Sequence, residues 1–203
     1  MTKPVFIHIS KNAGYSILAA AGDKIISAGH RIAESWIAEH GRSAPTFAVI
    51  RNPFDRVLSE YCFRLHRFEG GETNAHLTNL DKPFDHWVRS TFRDGEFRTR
   101  SFFEATEIPY GARNMVGDCL IWFIPQTRWI GIGATEILVD ELLRYDHLEH
   151  DWLQFSNSYG IEGHLEHRNC SRRERDYRPH YSSESLKIVR NYYAEDFDAF
   201  DFV

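Results

Sequence analysis

The sequence predicts an α/β protein built on a central, mostly parallel sheet flanked by helices, and three observations predict it. Two short runs, Pro4-Val5-Phe6-Ile7-His8-Ile9 and Thr46-Phe47-Ala48-Val49-Ile50-Arg51, are nearly continuous in apolar and β-branched residues, the pattern of strands covered on both faces. Each run passes through a small polar loop into apolar residues at helical spacing, and repeated strand–loop–helix units are the mark of a parallel sheet. The chain of 203 residues, 42% hydrophobic and 26% charged, is long enough for a core, and no linker rich in Pro, Gly or Ser divides it. A single domain over 1–203 is therefore expected.

The elements follow in order. After the first strand comes the loop Ser10-Lys11-Asn12-Ala13-Gly14-Tyr15-Ser16, and Ala- and Leu-rich spacing predicts a helix over 17–26. A second helix is expected over 32–40. The second strand ends in Asn52-Pro53, a helix start with Asn as N-cap and Pro at the first helical position. Phe54, Leu58, Tyr61 and Leu65 continue it at helical spacing. A Gly-, Asn- and Thr-rich loop is expected over 68–82 and a helix over 84–92, while 93–126 has weak periodicity. The runs 137–139 and 142–145 predict strands, and a helix is expected over 148–155. The polar, Arg-rich stretch 164–180 predicts an ordered loop. Ser182 or Ser183 then caps a last helix whose apolar stripe is Leu186, Val189, Tyr193, Phe197 and Phe200.

Composition excludes several classes. A formal net charge of -5 gives no global basic field for nucleic acid or acidic membrane, so a polyanionic ligand needs local donors. Cys62, Cys119 and Cys170 are scattered and form no CxxC pair, which fits a reduced compartment. The N-terminal residues lack the features of a signal peptide, and no apolar run approaches the ~20 residues of a membrane helix. A soluble, cytoplasmic protein is expected, with no membrane insertion; its oligomeric state is left open.

Two constellations carry chemistry. In the first, Lys11-Asn12-Ala13-Gly14-Tyr15-Ser16 joins a strand to a helix. A helix start offers unpaired N–H groups and the positive end of the macrodipole. Gly14 permits close backbone approach, Lys11 adds charge and Ser16 a hydroxyl, a set suited to phosphate or sulfate. The Walker A pattern is not met, because no glycine precedes Lys11 and Asn12 stands where Ser or Thr would hold Mg²⁺. In the second, Arg51 closes a strand and Ser59 follows two turns into the next helix, sharing a face with Asn52 and Asp55. The planar fork of Arg51 suits a phosphate. Taken singly, the loop also fits an ordinary strand–helix turn, and Arg51 an ion pair with Asp55. Taken together, they suit a ligand with two separated phosphates.

At these residues the chain resembles the PAPS-dependent sulfotransferases, closest to the carbohydrate group that includes the heparan-sulfate 2-O type and its bacterial relatives. The run 6–16 is similar to that family's 5′-phosphosulfate loop, and 47–61 to its 3′-phosphate motif. Leu143-Arg144-Tyr145-Asp146-His147-Leu148 and the segment 192–200 resemble two later family segments. Asn12 and Tyr15 replace threonines, Asp146 replaces a glutamate, and the middle third departs from the pattern. The resemblance implies a P-loop-kinase-like sulfotransferase fold and transfer of a sulfuryl group from PAPS to a hydroxyl or amine acceptor, releasing PAP. The acceptor would be a carbohydrate or small molecule, with an anionic one allowed. It implies donor contacts from Lys11, Asn12, Ala13, Gly14, Tyr15, Ser16, Arg51 and Ser59, with Lys11 neutralising the leaving oxygen.

No metal is expected, since the sulfuryl group carries less charge than a phosphoryl group. His30, between the two motifs, is the first candidate for the general base; Glu34, Glu60 and His66 rank below it. Arg168, Arg172, Arg173, Arg175 and Arg178 suggest a clamp, with Arg173 assigned to the nucleotide; Glu174 and Asp176 interrupt the run, as in a solvated face. Two alternatives stand beside this reading: a P-loop nucleotide or small-molecule kinase using ATP and Mg²⁺, and a non-catalytic nucleotide- or glycan-binding module of the same fold.

Overall fold

A computed structural model describes residues 2–71, 80–96, 98–101, 115–132, 136–165 and 176–203. In chain order the regular elements are β1 (Val5–Phe6), α1 (Gly14–Ala21), β2 (Ile26–Ser27), α2 (Ala33–His40), β3 (Thr46–Ile50), α3 (Pro53–Glu69), α4 (Phe84–Val88), β4 (Met115–Val116), β5 (Cys119–Leu120), α5 (Gln126–Ile130), β6 (Gly131–Ile132), β7 (Glu136–Ile137), β8 (Glu141–Arg144), α6 (Leu148–Tyr159), α7 (Ser183–Tyr192) and α8 (Ala194–Phe200). The contacts fall into two compact units, each formed by two separate stretches: Met1–Asn52 with Pro125–Cys170, and Pro53–Ile124 with Ser171–Val203.

The first unit holds the α/β sheet. Its four strands run in the order β2-β1-β3-β8, and every pairing is parallel. Side chains alternate across the sheet. Phe6, Phe47, Val49 and Leu143 form one face, which packs with Ile17 and Ala21 of α1 and with Trp152 and Phe155 of α6. Ile7, Ala48 and Ile50 are buried as well, which explains why both strand sequences lack alternation. Each large apolar side chain so buried contributes about 1.5–3 kcal/mol. Asp140 pins the start of β3: its carboxylate accepts from the Thr46 N–H at 2.7 Å and from the Thr46 hydroxyl at 2.8 Å. Asp151 accepts from the Arg144 N–H at 2.7 Å and fixes the turn from β8 into α6.

Two expected elements change here. The helix expected over 17–26 starts at Gly14 and ends at Ala21, because Gly22 takes φ 53 and breaks the repeat. Its expected tail becomes a short 3₁₀ turn and the edge strand β2. Of the run 137–139, only Ile137 joins a strand, in the antiparallel hairpin β6–β7.

The second unit is helical and aromatic. Trp87, Phe92, Phe123, Tyr192 and Tyr193 interlock ring against ring. The helix expected over 84–92 is α4 continued by a π-helical turn, Arg89–Arg93. The expected last helix breaks at Tyr193 into α7 and α8; Ser182 caps α7 through a reciprocal capping box with Ser185. Within α3, Arg64 and Glu60 are buried and paired at 2.7 Å. The expected loop 68–82 loses its first residues to α3, which runs to Glu69, and 72–79 lie outside the described residues. Among the described residues no helix is long and apolar enough to cross a membrane.

Candidate functional site

The candidate site lies in the first unit, where β1 and β3 end. Leaving β1, the chain takes positive φ at Lys11 (65) and again at Ala13 (59). Neither is glycine, and each such residue costs on the order of 1–2 kcal/mol. Such outliers persist only where surrounding contacts over-determine them, and they gather at binding sites. Ala13 sits at the N-cap of α1 and offers no side-chain cap, so the first turn keeps N–H groups that the helix itself cannot satisfy.

Three side chains hold this loop. Asn12 is fully buried, and its Nδ2 donates at 2.7 Å to the Val49 carbonyl and at 2.7 Å to Gln126 Oε1. Gln126, also fully buried, accepts from the Arg51 N–H at 2.9 Å through the same Oε1, while its Nε2 donates to the Arg51 carbonyl at 2.8 Å. Arg51 closes the circuit: its guanidinium donates to the Lys11 carbonyl at 2.6 Å and lies 3.8 Å above the Tyr145 ring, a cation–π contact strengthened by burial. Arg51 and the Lys11 loop thus meet where β1 and β3 end.

The histidines gather beside the loop. His8, just beyond β1, stacks on Phe6 at 5.4 Å and meets His30 at 4.7 Å between ring centroids. His30 in turn makes a T-shaped contact with Trp129 at 6.2 Å. Burial, and secondarily the charge of His30, push the His8 imidazole down to about 4, so His8 is neutral near pH 7.

The other expected site residues are placed as follows. The Asn12 side chain cannot reach a donor phosphate as a donor, because both hydrogen bonds of its amide nitrogen go inward to backbone and Gln126. The room left by Gly14 is occupied by His8: a Cβ on Gly14 would fall 1.7 Å from His8 Nε2. Tyr15 is 63% exposed with its ring edge-on to His8 at 6.2 Å. Ser16 is buried in the first turn of α1. Ser59 is buried within α3, in the other unit. Of the Arg-rich stretch, Arg168, Arg172, Arg173 and Arg175 lie outside the described residues; Arg178 is exposed and 3.7 Å from Asp176.

Sequence reasoning gave no role to Gln126, Tyr145, His8 or Trp129. Tyr145 and His8 stand inside quoted motifs, so their positions were in view. Gln126 and Trp129 fall where the sequence shows weak periodicity or follows it, and only the fold brings them to the loop. Compared with protein-family models, with curated proteins and with solved structures, the chain gives no match.

Proposed function

We propose that this chain is a sulfotransferase that moves a sulfuryl group from PAPS to a hydroxyl or amine acceptor, a carbohydrate or small molecule, and releases PAP. The observation that carries this reading is the bond from the Arg51 guanidinium to the Lys11 carbonyl at 2.6 Å. It joins Arg51 to the Lys11-bearing loop beyond two neighbouring parallel strands, which supports a shared ligand there, since open α/β sheets bind nucleotides at such strand ends. The strained loop and the start of α1 supply N–H groups for the donor's 5′-phosphate.

In the reaction the acceptor oxygen forms a bond to sulfur as the bridging S–O bond breaks, and that electron pair stays on the 5′-phosphate. Lys11 and the loop N–H groups offset the charge gathering there. The acceptor's proton passes to His30, exposed at the same edge. Positioning and charge stabilisation do most of the work, as in phosphoryl transfer.

Calorimetry tests the reading with PAP and, separately, with ATP and Mg²⁺, followed by transfer of labelled sulfate from PAPS to a panel of sugars and alcohols. PAP is expected to bind without metal. Lys11→Ala should lower turnover about 100-fold or more, and His30→Ala should abolish it while PAP still binds. Binding of ATP–Mg²⁺ with no binding of PAP would make the protein a kinase, and PAP binding with no transfer to any acceptor a binding module.

A further inference from the structure

We infer that His8 is a positioning residue that holds the His30 imidazole in the orientation in which it takes the acceptor's proton; the inference rests on the sulfotransferase reading for what His30 does, and on geometry for what His8 does. His8 is 8% exposed. A side chain serving only to fill that space would be better apolar. Instead the chain keeps an imidazole there and omits the side chain at residue 14 to make room for it, since a Cβ would lie 1.7 Å from Nε2 and 2.1 Å from Cδ2.

The buried ring is shaped to meet His30. His30 is exposed, on the turn after β2 next to Gly29 at φ 64. Such a side chain samples several rotamers unless contacts select one. Here the ring of His8 provides a floor at 4.7 Å, tilted 36°, and the Trp129 ring, inclined at 71°, a wall at 6.2 Å. Phe6 backs His8 in turn, 5.4 Å away and nearly parallel. The stack therefore runs from the sheet core through a buried ring to an exposed one, and it transfers the rigidity of β1 to a loop histidine.

Neutrality of the buried ring is part of its use. With burial and the neighbouring His30 keeping it uncharged, His8 does not compete for the acceptor's proton. When the acceptor oxygen bonds to sulfur, its proton moves to a ring nitrogen of His30, and the resulting cation rests on a neutral aromatic face.

The test uses the full chain with ring-labelled histidine, and His8→Ala beside His8→Phe. In the wild type the Hε1 resonance of His30 should carry the ring-current shift of a stacked neighbour. His8→Ala should move it toward the free-histidine position and lower kcat about 10- to 100-fold, with KM and PAP affinity within about twofold. His8→Phe, which keeps a ring face, should restore most of both. The NMR readout needs no acceptor. A wild type that transfers no sulfate, with the His30 resonance still moving in His8→Ala, would sink the function and leave the positioning intact. An unmoved resonance and unchanged kcat in folded His8→Ala would reduce His8 to packing and overturn the inference. If His8→Ala does not fold, His8→Phe decides: folded protein with a displaced His30 resonance and lost turnover also overturns it.

Discussion

The two strand-to-helix junctions at the sheet edge are built in opposite ways. After β1 the backbone is strained, with Lys11 and Ala13 at positive φ and no side-chain cap on α1. After β3 no residue takes positive φ, and Asn52-Pro53 leads into a helix that begins at Pro53, whose ring presets the needed angle. The second junction is encoded locally. The first is imposed by residues distant in the chain: Val49 and Gln126 hold the Asn12 side chain, and Arg51 holds the Lys11 carbonyl, so that surrounding contacts over-determine the strained loop.

Removing the clamp should have the largest effect. Gln126→Ala takes away the acceptor shared by Asn12 Nδ2 and the Arg51 N–H and the donor to the Arg51 carbonyl. A loss of about 3 kcal/mol or more is expected from urea unfolding, because three buried groups each lose a hydrogen bond at once. A loss below about 1 kcal/mol would mean that the loop holds its own shape, and the contrast between the junctions would fail.

Next in size is Gly14→Ala. Its Cβ would collide with His8, and the overpacking should cost about 1–3 kcal/mol. In a His8→Ala background the same change should cost far less, since the colliding ring is gone. Strictly additive losses would show that Gly14 is needed by something other than His8.

The smallest effect sharpens the comparison most. Ala13→Gly relieves a left-handed alanine and should raise stability by roughly 0.5–1 kcal/mol, the strain released less the entropy glycine loses on folding. Asn52→Gly at the other junction has no such strain to release and should bring no gain. Equal effects at the two sites would remove the distinction.

How much of this was legible in sequence depends on the range of the forces involved. The strands announced themselves because both faces are buried, so β1 and β3 carry apolar residues without alternation. Pro53 and Ser182 marked helix starts through local chemistry alone. The expected helix over 17–26 overran because Gly22 is ambiguous in a helical pattern; only its positive φ shows that it ends α1. Asn12 looked like a ligand contact because it stands in a loop, yet it is fully buried. Its partners are 37 and 114 residues away, and no local pattern reports them.

The sequence by itself determined the alternation of strand and helix, the parallel sheet and the two places where the Lys11 loop and Arg51 leave it, because periodicity, proline and loop chemistry act over a few residues. The tertiary structure alone decided what those side chains do. Gln126 fastens both junctions from α5, Tyr145 lies beneath Arg51, and the space beside Gly14 belongs to His8. Those are contacts between residues distant in the chain, and their geometry exists only once parallel strands bring the ends of β1, β3 and β8 together.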